Sequence, residues 1–325
     1  MPSTNKPTNT NTNTNTNTNT TKTNSAISTD STATSSTSRR RTLRREVPST
    51  VGLLADAGDF AAMRGYRSFS FDDHQDYLRH VDGLLRSLAA QGIHTTVALF
   101  DPEEYTVFCA EHGLDPDTAK TRTRFTAELA GSSGGLAYAG QPIEELVPLL
   151  VDEAVRQATW EYASMLLAGV GSCADCGEDI GHASFERAAD AFKRLVDGAG
   201  PGHHHLVCSI PTEEEQLVAV LHADADGDLD APPRIEGRDG LDFVTVLAAG
   251  IALGGPGGLV LRSTTDGFRD RVHGWRLDRG RLVPLSAAAV FNAYCTDADT
   301  GDPVAPEPGV EYCPGYEVDD PSPHH

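Results

Sequence analysis

Thr95-Thr96-Val97-Ala98-Leu99-Phe100-Asp101-Pro102-Glu103-Glu104 is the stretch on which the fold assignment turns. Its first six residues are β-branched or apolar and fit a buried strand. The next four open a helix. Asp101 can cap it, Pro102 suits a position whose N–H would be unpaired anyway, and Glu103 and Glu104 meet the positive end of the helix dipole.

Upstream, Val51–Ala55 is a short apolar run ending at Asp56, followed by a helical segment and the aromatic residues Tyr66, Phe69 and Phe71. Asp72 or Asp73 can then cap a helix in which Tyr77, Val81, Leu84, Leu85 and Leu88 recur at spacings of three and four before Gly92 stops it. The order is strand, helix, strand, helix. Downstream, a helix is expected near 121–130, a Gly/Ser loop at 131–135, and a long helix opened by Pro142. Its apolar stripe, Leu146, Leu149, Leu150, Ala154, Ala158, Met165 and Leu166, is expected to face the core, with Trp160 and Tyr162 completing it.

A helix at 183–196 and a strand at His205–Ile210 follow, then an apolar segment at 217–221 and an acidic turn at Asp224–Asp230. The last third reads as a meander of strands at 259–262, 272–277 and 282–285, with Asp278-Arg279-Gly280 as a hairpin turn. Ser286 caps a final helix reaching Tyr294. The expected class is α/β, or α+β, with a mixed sheet, helices and a strand-rich C-terminal third. Residues 47–295 form one globular domain, with two subdomains able to meet near 170–205. Residues 296–325, rich in Pro and Asp, are expected to wrap the surface or fray.

The chain of 325 residues has 47 Asp+Glu against 26 Lys+Arg, a formal net charge of −21. Residues 1–45 hold seven basic side chains and one acid, so the remainder carries 19 basic against 46 acidic groups, a net of −27. That balance argues against a nucleic-acid partner for the domain. Asn9–Thr20 alternates Asn and Thr strictly and offers no apolar surface, so residues 1–46 are expected to be a disordered tail ending in the basic cluster Arg39–Arg45. The cluster is expected to stay hydrated or fold back on the acidic domain. No apolar stretch of secretory type follows the tail, which places the six cysteines in a reducing cytoplasm. Phe243–Leu261 is 19 residues without a charge, but glycines and Pro256 interrupt it after Leu253, so no membrane span is expected.

The sharpest chemical signal is Cys173-Ala174-Asp175-Cys176-Gly177. Two thiolates two residues apart can share a tetrahedral Zn²⁺, and a following glycine lets the backbone bend over the ion. His205 and Cys208 offer two further ligands, so Cys173, Cys176, His205 and Cys208 are the expected structural zinc set, clipping helices to a strand. The phrase Cys173–Gly181 resembles, over nine residues, the first knuckle of the zinc fingers in a family of bacterial transcription regulators that bind RNA polymerase; the second Cys-x-x-Cys of that pattern is absent, and no function carries over. A redox pair and two ordinary loop cysteines are the competing readings. His203 and His204 sit beside a glycine loop and make poor ligands. The run His222–Asp230 fits no calcium-loop register.

Asp56, Asp59 and Asp101 end or follow two expected parallel strands, where ligands of such sheets gather. They could hold Mg²⁺ for phosphoryl or hydrolytic chemistry, with His74 as acid or base. The phrases Val97–Tyr105 and Asp152–Tyr162 further resemble an uncharacterised family of hypothetical proteins from high-GC bacteria, over roughly 50–313, which implies no activity. The leading expectation is a cytoplasmic, non-enzymatic accessory or interaction protein with an unidentified protein partner and a structural zinc knuckle. The alternative is a metal-dependent hydrolase or phosphoryl-transfer enzyme using the strand-end carboxylates.

Overall fold

A computed structural model describes residues 49–129, 135–225, 233–235, 237–297 and 300–318. The expectations for the N-terminal tail, for loop residues 131–134 and for residues 226–230 of the acidic turn lie outside these residues.

Strands β1 (Ser49–Leu53) and β2 (Thr95–Leu99) pair in parallel, so that Leu53 lies opposite Leu99. A parallel pair needs a long crossover, and α1 (Ala57–Met63) and α2 (His74–Ala90) supply it. β3 (Gly135–Ala137) adds antiparallel to the other edge of β2. As the opening stretch predicts, α3 (Pro102–His112) starts directly after β2 and ends at Gly113, whose φ of +60° suits glycine. With α4 (Ala119–Leu129) it encloses a core of Leu53, Val97, Phe100, Tyr105, Phe108 and Phe125.

The second sheet has seven strands: β4 (Gly202–Pro211), β5 (Gln216–Ala225), β6 (Arg234–Ile235), β7 (Gly257–Thr264), β8 (Asp270–Asp278), β9 (Arg281–Pro284) and β10 (Val310–Tyr312). The order is β10-β8-β7-β4-β5-β6, with β9 also on β8, and every pairing except β10 to β8 is antiparallel. The combination is an α+β fold, within the class the sequence indicates. The β8–β9 hairpin turns on Arg279 (φ +50°) and Gly280 (φ +70°), the left-handed pair a two-residue hairpin loop needs.

One face of this sheet is covered by α6 (Ile180–Ala199) and α7 (Asp239–Leu253). The uncharged run beginning at Phe243 is therefore mostly α7, buried on nearly every side, and among the described residues no helix is long and apolar enough to cross a membrane. Gly250 lets α7 settle onto the strands: a Cβ there would stand 2.5 Å from Ile210 Cδ1 and 2.8 Å from Leu277 Cδ2.

The two cores meet along α5 (Ile143–Gly169), whose Leu146 and Leu150 sit in the first and Ala163 in the second. Because α5 buries a different side at each end, its sequence stripe splits: Leu146 and Leu150 are buried, whereas Leu149, Ala158 and Met165 are exposed, contrary to expectation. Beyond α8 (Ala287–Tyr294), residues 313–318 strap the sheet. Trp275 Nε1 donates to Tyr316 O (2.8 Å), Tyr316 packs edge-on against Trp275, and its hydroxyl donates to Leu195 O.

Candidate functional site

The sequence singles out two places, the strand-end carboxylates and the thiol knuckle. At the first, the chain leaves β1 and β2 at the same end of a parallel pair, and each exit is an Asp that caps a helix. Asp56 Oδ1 accepts from the backbone N–H groups of Gly58 (2.7 Å) and Asp59 (2.9 Å), and Asp101 Oδ1 from those of Glu103 (2.6 Å) and Glu104 (3.1 Å). The backbone N–H bonds hold the Asp56 carboxyl below the usual carboxylate range. Asp59 goes the other way. Partial burial, then the nearby charges of Asp56 and Asp101, push it up to about 6, and it shares a hydrogen bond with Asp56.

His74 opens α2, its Nε2 3.1 Å from Leu54 O, and its ring lies against Phe60 at 5.1 Å. The structure therefore brings Asp56, Asp59 and Asp101 into one electrostatic neighbourhood, with His74 felt by Asp56. A shallow, open depression lined by Ala62, Tyr66, Pro102, Glu103 and Thr106 lies on α1 and α3. Among the described residues, however, no group of three or more His, Cys, Asp or Glu side chains is placed to hold a metal ion.

The expected four-ligand zinc set is not assembled. Cys208 points into the core beneath α6 and α7, and burial pushes its thiol up to about 12, far from a thiolate. His205, three residues earlier on the same strand, lies on the opposite, exposed face and stacks on His222 at 4.6 Å. Successive residues of a strand alternate faces, so positions three apart cannot turn to one ion. The other two histidines are spoken for: His203 pairs with Asp224 (2.6 Å), and His204 is buried between Ser263 Oγ (3.0 Å) and Gly200 O (2.9 Å).

Cys173 and Cys176, by contrast, form a knuckle between α5 and α6. Ser172 and Asp179 bridge in antiparallel fashion at its base. Above them Cys173 N donates to Glu178 O (2.8 Å) and Gly177 N to Cys173 O (2.9 Å), with Gly177 at φ +76° allowing the reversal. The backbone N–H groups of Cys176 and Asp175 point at the Cys173 sulfur and hold its thiol below the usual range. Asp179 then caps α6 by accepting from His182 N (2.8 Å). Gly181 fixes the approach of the two helices, since a Cβ there would lie 2.5 Å from Leu167 O. Cys176 is exposed and Cys173 partly so.

One cluster was not foreseen. Arg156 of α5 reaches Glu153 and Asp239 and sits 3.6 Å from the buried Asp242 of α7, while Arg238 lies over the Trp160 ring at 5.2 Å. Burial pushes the Asp242 carboxyl up, against the pull of the two arginines. The signal is a pair of acids, Asp239 and Asp242, at the head of an otherwise apolar helix.

Residues 38–141 match a family described as a domain of unknown function, DUF8829. The match takes in the three-stranded sheet, α1 to α4 and the strand-end carboxylates, and stops short of α5 and the knuckle. The phrase Val97–Tyr105 lies inside it and Asp152–Tyr162 outside. No curated protein and no solved structure matches the chain.

Proposed function

We propose that this is an interaction protein that binds through its thiol knuckle, with Cys173 and Cys176 acting as half of a tetrahedral thiolate site for a soft divalent metal such as zinc. The observation that supports this reading is the turn itself: a Cys-x-x-Cys-Gly segment closed by two backbone hydrogen bonds and presented to solvent between two helices. Tetrahedral zinc sites take four protein ligands when structural, and a knuckle supplies two. The remaining ligands come from a partner, which makes the metal an assembly device and not a catalyst. Such use requires thiols kept reduced, in keeping with a cytoplasmic location.

The test is metal content. Protein purified without chelator, under reductant, is expected to carry zinc that is lost in a Cys173→Ser, Cys176→Ser variant, while Cys208→Ala retains it. Wild type free of bound metal, and unable to take up Co²⁺ with thiolate charge-transfer absorption, would refute the reading.

A second reading, hydrolysis at the strand-end carboxylates, is favoured by one observation, the Asp59 carboxyl at about 6 beside an ionised Asp56. The caps weigh against it, because Asp56 and Asp101 each spend an oxygen on a helix end. A rise in melting temperature with Mg²⁺ in wild type, absent in Asp59→Asn, would favour it.

A further inference from the structure

We propose that the open face of the second sheet carries a metal site of its own, in which His205 of β4 and His222 of β5 chelate one first-row divalent ion of the nickel or copper kind, independently of the knuckle. The ladder sets the pair. His205 and His222 are direct partners across β4 and β5. By strand alternation both leave the sheet on the side away from α6 and α7, where each is exposed. Directly opposed residues of an antiparallel pair have Cβ atoms about 4.5–5.5 Å apart, so the backbone already holds the two imidazoles side by side.

Their ring centroids lie 4.6 Å apart with the planes inclined by 22°. An ion bound at roughly 2.0–2.1 Å to each ring needs the two nitrogens within about 4 Å of each other, and a tilt of exposed side chains provides that without moving either strand. The nitrogens are also uncommitted. The other histidines of this sheet spend theirs on oxygens: His203 on Asp224 (2.6 Å), His204 on Ser263 Oγ (3.0 Å) and Gly200 O (2.9 Å), and His273 on Pro314 O (2.8 Å). Among the described residues, the ring nitrogens of His205 and His222 have no hydrogen-bond partner, so each neutral ring keeps a lone pair for an ion.

Imidazole suits copper, nickel and zinc, and at nitrogen sites affinity rises through nickel to copper. The surrounding charge favours a cation. Arg262, beside His205 on β7, is paired to Asp270 (2.7 Å) and Glu307 (2.9 Å), and in the next row Asp224 stands opposite Arg234. Among the described residues no group of three or more His, Cys, Asp or Glu side chains is placed around one ion, so two nitrogens come from the protein and water takes the other positions. Two protein donors hold an ion exchangeably, unlike a zinc ion kept by thiolates through purification.

The experiment titrates Ni²⁺ into the full chain carrying Cys173→Ser and Cys176→Ser, so that the knuckle contributes nothing, and follows the heat of binding. One Ni²⁺ equivalent is expected, weakened at least tenfold by His222→Ala and by His205→Phe, which keeps a ring in the stack but no nitrogen; circular dichroism checks that the fold is kept. His203→Ala leaves the pair intact and should change affinity less than threefold. No Ni²⁺ binding by the parent, or binding equal to the parent's in both His222→Ala and His205→Phe, would overturn the site whatever the knuckle does with zinc. A loss in His203→Ala as large as that in His205→Phe would overturn the two-nitrogen assignment.

Discussion

Asp59→Asn should stabilise this protein near neutral pH and do nothing in acid. Asp59 is pushed from 3.8 to about 6 by partial burial and by Asp56 and Asp101. The folded state therefore holds the Asp59 proton more tightly than the unfolded chain does. The sign follows: stability from this group is complete below about pH 4, where both states are protonated, and is lost as pH climbs toward about 6. A shift of roughly two units corresponds to at most about 3 kcal/mol at about 1.4 kcal/mol per unit. Because Asp59 is only partly shielded, solvent screening brings the expected effect down to about 1 kcal/mol. Asn is neutral at every pH, and its amide can donate to Asp56 as the protonated acid does. Urea denaturation of wild type and variant at about pH 3.5 and about pH 7.5 measures the difference. A gain of about 1 kcal/mol at the higher pH and none at the lower is expected. Equal effects at both pH values would refute the electrostatic account of this carboxyl cluster.

Arg156→Met removes the cation shared by Glu153, Asp239 and the buried Asp242; it should cost about 2 to 3 kcal/mol in chemical denaturation, and a loss below about 0.5 kcal/mol would show that the α5–α7 contact does not need it. Gly250→Val places a branched side chain where a Cβ alone already meets Ile210 and Leu277, and should cost several kcal/mol, read as a melting temperature lower by at least about 10 °C. Tyr316→Ala releases the strap from Trp275 and Gly198; quenching of tryptophan fluorescence by acrylamide should rise, and unchanged quenching would mean that the strap does not shield Trp275.

Much of the fold was legible because it is built from local signals that agree with tertiary need. Asp101-Pro102-Glu103 announces a helix start, and the structure caps α3 there with two hydrogen bonds. Ser286 likewise caps α8, and Gly280 turns the β8–β9 hairpin. The α5 stripe was legible only in part. Periodicity records that a helix has an apolar side, but not that the buried side changes as the helix passes from one core to the other, and so Leu149 and Met165 were assigned inward.

The candidate sites divide along the same line, and the difference lies in sequence separation. Cys173 and Cys176 are held by bonds that close within six residues, so their spacing alone specifies the turn. The expected link to His205 and Cys208 required a long-range juxtaposition, which spacing cannot supply. Yet one half of that failure could have been read beforehand. An odd offset within a strand places two side chains on opposite faces, so His205 and Cys208 are a bidentate pair in a loop or a helix but never in β4. The strand assignment and the ligand assignment for 205–208 excluded each other. Parity also decides which residues of β4 remain available to a partner: His204, Leu206, Cys208 and Ile210 are consumed by the core, and only the intervening residues meet the outside. The same parity removes Cys208 from any ligand set that uses the exposed face of β4, and leaves Cys173 and Cys176 as thiols presented outside the core.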